Sequence, residues 1–377
     1  MQAQSTAKLR RSAQPVRIYD VAARAGVSLA TVSAVLTGNR PVAAATRKFV
    51  QAAIDDLGYR ANASARSLAG GRTQTIALLI PPIAPNMSVI QMEFIANVVE
   101  AARAHNYDVL VSVADHQDDA FLRLATERRV DGFLLLEVFL RDRRVESLKN
   151  AGIPFVIMGR TEQDDVSSWV DIDFHWTMEQ FVRLLSEHGC RRLALFNSSD
   201  ELYDAGYGPA VRSEQGFVLA CDKLGLDAVV LHCGRAPDTG YAETAELTDR
   251  RDTTTAFIVT NEHVLPGIYR ALAERGLRIP VDVVVVALTD RLSAAALDSV
   301  PVTVEHPVLE MANAAVELLV EELASPGTAK QGRLLRPRLT GGGLDALDPI
   351  MNPGERRQRE LCASPQLHMS LPRPQST

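Results

Sequence analysis

Between residues 18 and 58 the apolar positions recur at helical spacing; beyond residue 74 they gather into short unbroken runs. Ile18, Val21, Ala22 and Ala25 fall at i, i+3, i+4 and i+7, one apolar face about two turns long. Gly26 ends that pattern, because a tight reversal needs a residue that accepts positive φ at little cost. Ser28 then suits an N-cap. Val32, Val35 and Leu36 make a second inward face and leave Leu29, Ala30, Ser33 and Ala34 pointing outward. From Thr46 a third pattern turns Val50, Ala53, Ile54 and Leu57 inward until Gly58 closes it. Three short helices with a tight turn between the first two predict a helix-turn-helix unit.

The later runs Ile76–Ile80, Val109–Val113, Phe133–Leu136, Phe155–Met158, Leu193–Phe196, Val229–Leu231, Ala256–Val259 and Val283–Leu288 predict buried strands. Between most of them lie helix-length stretches such as Phe94–Ala104, Met178–His188, Ser213–Leu224 and Val264–Arg275. Continuous apolar strands alternating with helices imply parallel sheets covered on both faces. The stretch is too long for one small sheet, so the expected fold is an all-α helix-turn-helix head followed by a two-lobed α/β core. Open parallel sheets bind ligands beyond their strand C-termini, which makes a cleft between the lobes the expected pocket. The organisation predicted is a disordered tail over 1–15, the head over 16–60, a hinge or linker over 61–73, the core over 74–340 and a second disordered tail over 341–377.

Charge sharpens this picture. Residues 1–72 hold eleven Lys and Arg against three Asp, a net +8, whereas the whole chain carries −6, so the remainder carries −14. A basic head on an acidic body is expected when one end meets phosphate and the rest must not. The four cysteines, Cys190, Cys221, Cys233 and Cys362, show neither CxxC spacing nor a disulfide framework, and no HExxH pair occurs. The N-terminus has no apolar core of the secretory kind, and the longest apolar run is too short to span a bilayer. These features predict a soluble cytoplasmic chain with no membrane association, metal or cofactor. No G-x-G-x-x-G or Walker-type loop follows any strand and no nucleophile elbow is present, which argues against an enzyme.

The stretch IYDVAARAGVSLATVSAVLTG (residues 18–38), followed by LGYRANASARSLAGGRTQTIALLIP, resembles the LacI/GalR family of bacterial transcription regulators nearly position for position. Weaker matches continue through VDGFLLL, GIPFVIMGR, HGCRRLALF and VTVEHP, so the likeness spans roughly residues 16–340. It implies a repressor-like homodimer on a pseudo-palindromic double-stranded operator, with a core resembling periplasmic sugar-binding proteins. Chain crossings between the lobes are implied near residues 172, 290 and 320. The second helix would enter the major groove, with Tyr19, Ser28, Thr31, Ser33 and Asn39 holding phosphates and Leu29, Ala30 and Ala34 facing base edges. Ala34 departs from the family, which usually has an arginine there to read guanine. In the linker, Asn62, Ala65 and Arg66 would lie in a short hinge helix whose Leu68 wedges between base pairs in the minor groove.

For the cleft, strand ends supply the candidates. Arg160 could chelate hydroxyls or a carboxylate, Asp171 and Asp173 could accept sugar hydroxyls, and Trp169 could stack on a ring. Asn261, Glu262 and Asp290 follow the later strands. Three departures from the family pattern stand out: Phe174 where asparagine is usual, Thr289 where aspartate is usual, and Arg212 four residues before Gly216 instead of three. A one-residue shift on a helix turns a side chain by about 100°, which predicts that Arg212 misses the cleft. The effector expected is a sugar or glycoside. The alternative is a small-molecule-binding sensor with degenerate or relaxed DNA specificity.

Overall fold

The computed structural model describes residues 16–37, 40–59, 72–82, 88–115, 119–163, 165–249, 256–289, 293, 297 and 302–340. Asn39, Asn62, Ala65, Arg66, Leu68, Asp290 and both predicted tails lie outside them. The chain forms two units, one of residues 1–76 with 123–131 and the other of residues 77–122 with 132–377.

In the first unit, α1 (Ile18–Ala25), α2 (Leu29–Thr37) and α3 (Ala44–Leu57) form where the periodicity put them. Gly26 adopts φ 67° and lets the chain turn 106° between the first two helix axes. Ser28 caps α2, its Oγ accepting the Thr31 amide at 3.1 Å. Val21, Ala22, Val32, Val50, Ala53 and Tyr59 make the small core.

The second unit continues, after β1 (Thr75–Ile80), with α4 (Val89–Ala104), β2 (Asp108–Val113), α5 (Arg123–Thr126, which belongs to the first unit), β3 (Gly132–Leu136), α6 (Arg143–Ala151), β4 (Phe155–Met158) and β5 (Ser168–Ile172). Next come α7 (Phe174–Glu187), β6 (Arg192–Ser198), α8 (Asp200–Asp204), α9 (Gly208–Leu224), β7 (Asp227–Cys233), α10 (Pro237–Asp249), β8 (Ala256–Val259), α11 (Leu265–Glu274) and β9 (Val284–Leu288). The chain ends its described part with β10 (Val302–Glu305), α12 (Val308–Ala324), β11 (Gly332–Leu335) and β12 (Arg338–Thr340). Two six-stranded sheets result, ordered β11-β5-β4-β3-β1-β2 and β12-β10-β9-β8-β6-β7. The recorded pairings are parallel except β10 with β12. The central strands are buried along their length, which is why they read as continuous apolar runs and not as alternating ones.

The chain passes between the sheets at residues 173–191, 306–307 and 336–337. The first agrees with the implied crossing near 172. The other two fall later than 290 and 320, because β10 still extends the second sheet and α12 packs on α4, β3, β4 and β5 of the first. Gly332 allows β11 to lie under a tryptophan: a Cβ there would stand 2.2 Å from Trp169 Cζ2. Among the described residues no single helix is long and apolar enough to cross a membrane.

Candidate functional site

Two surfaces carry the chemistry, one in each unit. On the head, Tyr19 is 65% exposed, and Ser28 and Ala30 are exposed at the start of α2. Thr31 is half-buried, its Oγ1 2.9 Å from Ser28 Oγ, and Ser33 is half-buried with a partner of its own. Leu29 departs from its outward placement: it is partly buried and packs against the three-helix core. Ala34 departs further. It is only 3% exposed although it stands outside the core cluster, and its single methyl needs little cover to be hidden.

In the second unit a cavity of about 250 Å³ opens at the strand C-termini of both sheets. Arg160, Asp171, Asn261 and Glu262 line it, as does Phe174. Arg160 follows β4; its Nε is 3.9 Å from Asp171 Oδ2 and its guanidinium lies 5.2 Å over the Trp169 ring. Trp169 is therefore a buried platform beneath Arg160, outside the lining. Asp173 also lies outside it. Its Oδ1 accepts the Trp176 amide at 3.1 Å as the cap of α7, and Oδ2 meets Arg336 Nε at 3.4 Å. The carboxylate at that helix N-terminus is thus engaged by the Trp176 amide and by Arg336, away from the cavity lining. Asn261 lines the wall mainly as an anchor, its Nδ2 donating to the carbonyls of Cys233 at 2.9 Å and Gly234 at 3.1 Å.

Arg212 reaches the cavity, against the expectation from its helical phase. Its Nη1 stands 3.5 Å from Asp171 Oδ2 and its Nη2 donates to the carbonyl of Arg160. Ser213, which occupies the family's arginine position, is 1% exposed and also lines the cavity. Two further groups were missed, Glu137 and Arg235. Both follow strand ends, β3 and β7, so the rule that found Arg160 and Asn261 would have reached them.

Glu137 holds φ 51°, an uncommon left-handed value for a non-glycine residue. Arg144 supports it, donating from Nη2 to the Glu137 carbonyl at 3.0 Å while Nη2 and Nε grip Asp142 at 2.7 and 3.0 Å. The Glu137 carboxyl accepts from Gln91 Nε2 at 2.7 Å, and its depth in the protein raises its pKa despite that bond and the nearby arginines. Tyr207, beside it, is likewise pushed well above the ordinary phenol value, first by burial and then by Glu137. Across the cavity, Arg235 Nη2 donates to His263 Nε2 at 2.7 Å. Burial and then Arg235 lower His263 to about 4, so its ring is neutral at pH 7 and serves as acceptor. A depressed histidine contributes stability that is present above its ordinary pKa of 6.5 and is lost as pH falls through about 4. The His263 ring resonances should titrate near 4 by NMR, well below the His232 ring, which Glu214 and Asp200 raise above 6.5 against the opposing cost of burial. A His263 midpoint near 6.5 would remove the neutral acceptor.

The three-helix head and the two-sheet core occur together in known proteins. Residues 17–62 match the model for bacterial regulatory proteins of the lacI family, and residues 182–343 match a periplasmic binding protein-like domain. The HTH-type transcriptional regulator AglR of Rhizobium meliloti is 31% identical over 354 residues, covering 90% of this chain and 98% of that protein. A solved transcriptional regulator CelR–cellobiose complex is 27% identical with a TM-score of 0.64, covering 86% of this chain and 98% of that one. The lac repressor dimer bound to operator and the anti-inducer ONPF shares the fold with a TM-score of 0.74 at 22% identity, over 87% and 98% of the two chains. With its helix-turn-helix head and its parallel two-lobed core, this chain belongs to the lacI family of bacterial DNA-binding transcriptional regulators.

Proposed function

We propose that this regulator is a repressor that binds a pseudo-palindromic operator as a homodimer and is switched by a sugar or glycoside held in the cavity. The observation that carries the DNA reading is the head itself: a 106° turn, a capped α2 and a net charge of +8 over residues 1–72. On this reading Ser28, Thr31, Ser33 and Tyr19 set the register on phosphates, and Ala30 meets base edges with apolar contact only. Asn39, Asn62, Ala65, Arg66 and Leu68 complete the contact by family resemblance. For the effector, support comes from the arginine–carboxylate wall and from the CelR relative, whose structure holds cellobiose. A ligand switches such a protein only by preferring one lobe arrangement over the other, so tight but indifferent binding would do nothing.

One observation favours the second reading, a sensor with relaxed DNA specificity. The α2 segment LATVSAVLT offers no arginine, lysine, asparagine or glutamine, and Ala34 is covered. A bidentate reader is worth about 1–3 kcal/mol of base discrimination. Selection of bound duplexes from genomic fragments, with and without added sugars, separates the two. A shared symmetric half-site whose recovery changes with sugar is the expected result. Fragments with no common half-site would replace the repressor by the sensor.

A further inference from the structure

Beside the cavity, and outside its lining, both nitrogens of one imidazole meet carboxylates. His232, on β7, places Nδ1 against Asp200 Oδ1 of α8 and Nε2 2.7 Å from Glu214 Oε2 of α9. A neutral imidazole carries one N–H and one lone pair, and a carboxylate oxygen only accepts. Two such contacts therefore require the doubly protonated ring. Glu214 is secured independently, since Asn197 Nδ2 donates to the same oxygen at 3.3 Å and the Tyr203 phenol bonds it as well. Asp200, whose side chain is 82% exposed, has His232 as its side-chain partner among the described residues. When the ring loses a proton, one nitrogen turns a lone pair toward a carboxylate, and the bond to Asp200 is the one surrendered. The groups facing the ring are Asp200 and the stacked Tyr203 from α8, Glu214 from α9 and the uncharged Asn197 beside it on β6. Asp204 adds negative charge beyond Tyr203. Burial opposes charging the ring, but the bonds to Glu214 and Asp200 outweigh it and raise the pKa above 6.5.

The segment that carries Asp200 also joins the two lobes. Ser199 and Leu202 line the cavity from the second lobe, and Ser199 caps α8 through the Leu202 amide at 3.4 Å. A few residues later the chain bonds the first lobe, just after β3. There the Leu140 amide donates to the Gly206 carbonyl at 2.7 Å, and the Gly208 amide to the Val138 carbonyl at 3.2 Å. Tyr207 forms an isolated bridge with Phe139, their rings 5.7 Å apart. We propose that residues 199–208 are a strap between the lobes, fastened to the second lobe by protonated His232 through Asp200 and loosened when the ring loses its proton, so that closure of the lobes responds to pH. This rests on the reading of the cavity as the regulator's switch and is independent of the effector's identity. A histidine whose pKa rises on folding contributes stability that is complete below 6.5 and is lost as pH climbs through the raised value. The strap is therefore fastened in acid and slack in alkali. His263 runs the other way, its contribution failing in acid.

Amide hydrogen exchange on the full chain without ligand tests this residue by residue, because the Leu140 and Gly208 amides make the bonds between the lobes. With the intrinsic effect of pH divided out, their protection and that of Tyr203, Ala205 and Tyr207 should fall from about pH 6 to about pH 9. The expected fall is at least about tenfold, the scale of one charge-assisted hydrogen bond. It should track the titration of the His232 ring followed by NMR, and the β8 amides of Ala256–Val259 should not share it. Asp200→Asn changes an exposed side chain and leaves the core intact. That variant should lower protection at the acid end and flatten the response, and His232→Gln should do the same. Equal protection at the two ends, or a fall that persists in both variants, overturns the proposal. So does a fall confined to α8 while Leu140 and Gly208 stay protected. The switch reading fails separately, if duplex recovery ignores every added sugar, and that failure leaves the exchange result standing.

Discussion

Replacing Asp142 by alanine should destabilise the core by about 3–5 kcal/mol, the cost of stranding a buried charge. Asp142 and Arg144 have no exposed side-chain surface and are 2.7 Å apart. Without the carboxylate, the Arg144 guanidinium keeps only carbonyl partners, at 3.0 Å from Glu137 and 3.5 Å from Ala114 and Leu136. Asp142 also caps α6 through the Arg144 amide at 3.0 Å, so a helix end is lost as well. The double variant Asp142→Ala/Arg144→Met should recover much of the loss, because the pair as a whole contributes far less than either half costs when alone. Urea unfolding of the single and double variants measures both. Because the Glu137 backbone depends on Arg144, ligand affinity in the cavity should fall in each. A single variant as stable as the parent would show that water reaches this pair.

The second large effect concerns salt. Operator affinity should fall by about 10³–10⁵-fold between 50 and 200 mM salt, the loss expected of a protein that neutralises about six to ten phosphates. Much of the head's positive charge sits on exposed side chains, and its described ion pair, Arg24 with Asp56 at 2.6 Å, is solvent-facing and therefore weak. The rest of the chain, at −14, adds nothing to phosphate attraction. A log–log plot of affinity against salt gives the number of ions released directly. A flat line would mean that apolar contact holds the DNA, and the docking of α2 would have to be abandoned.

The elements that formed as read are those with one unambiguous period. Each of the eight strands read from apolar runs is present, but the expected burial fails for β2 and β7, which stand at the ends of their sheets and are half-buried to exposed because no strand covers their outer edge. The head was equally legible, since Gly26 and Ser28 act locally. What failed had non-local causes. β5 carries Asp171 within a buried strand, tolerated only because two arginines from other elements reach it. Leu29 and Ala34 were placed by helical phase alone, which says which way a side chain points but not what comes to cover it. Arg212 shows the converse: helical phase placed it off the cavity, yet its guanidinium lies in the lining beside Asp171, since phase does not fix where the end of a long side chain reaches. The partnership of Arg235 with His263 spans 28 residues and two loops, and no local pattern announces it.

The late return of α12 and β11 to the first sheet has a consequence for biosynthesis. As the nascent polypeptide leaves the ribosome, β1 to β5 emerge early, yet the helix that covers them and the strand that borders β5 follow only after the whole second sheet except β12. The earlier lobe must wait, partly open, for the later one to be made. Translation therefore completes the lobe that began second almost as soon as the lobe that began first, and a message truncated before residue 308 would yield neither a finished cavity nor a sealed apolar surface.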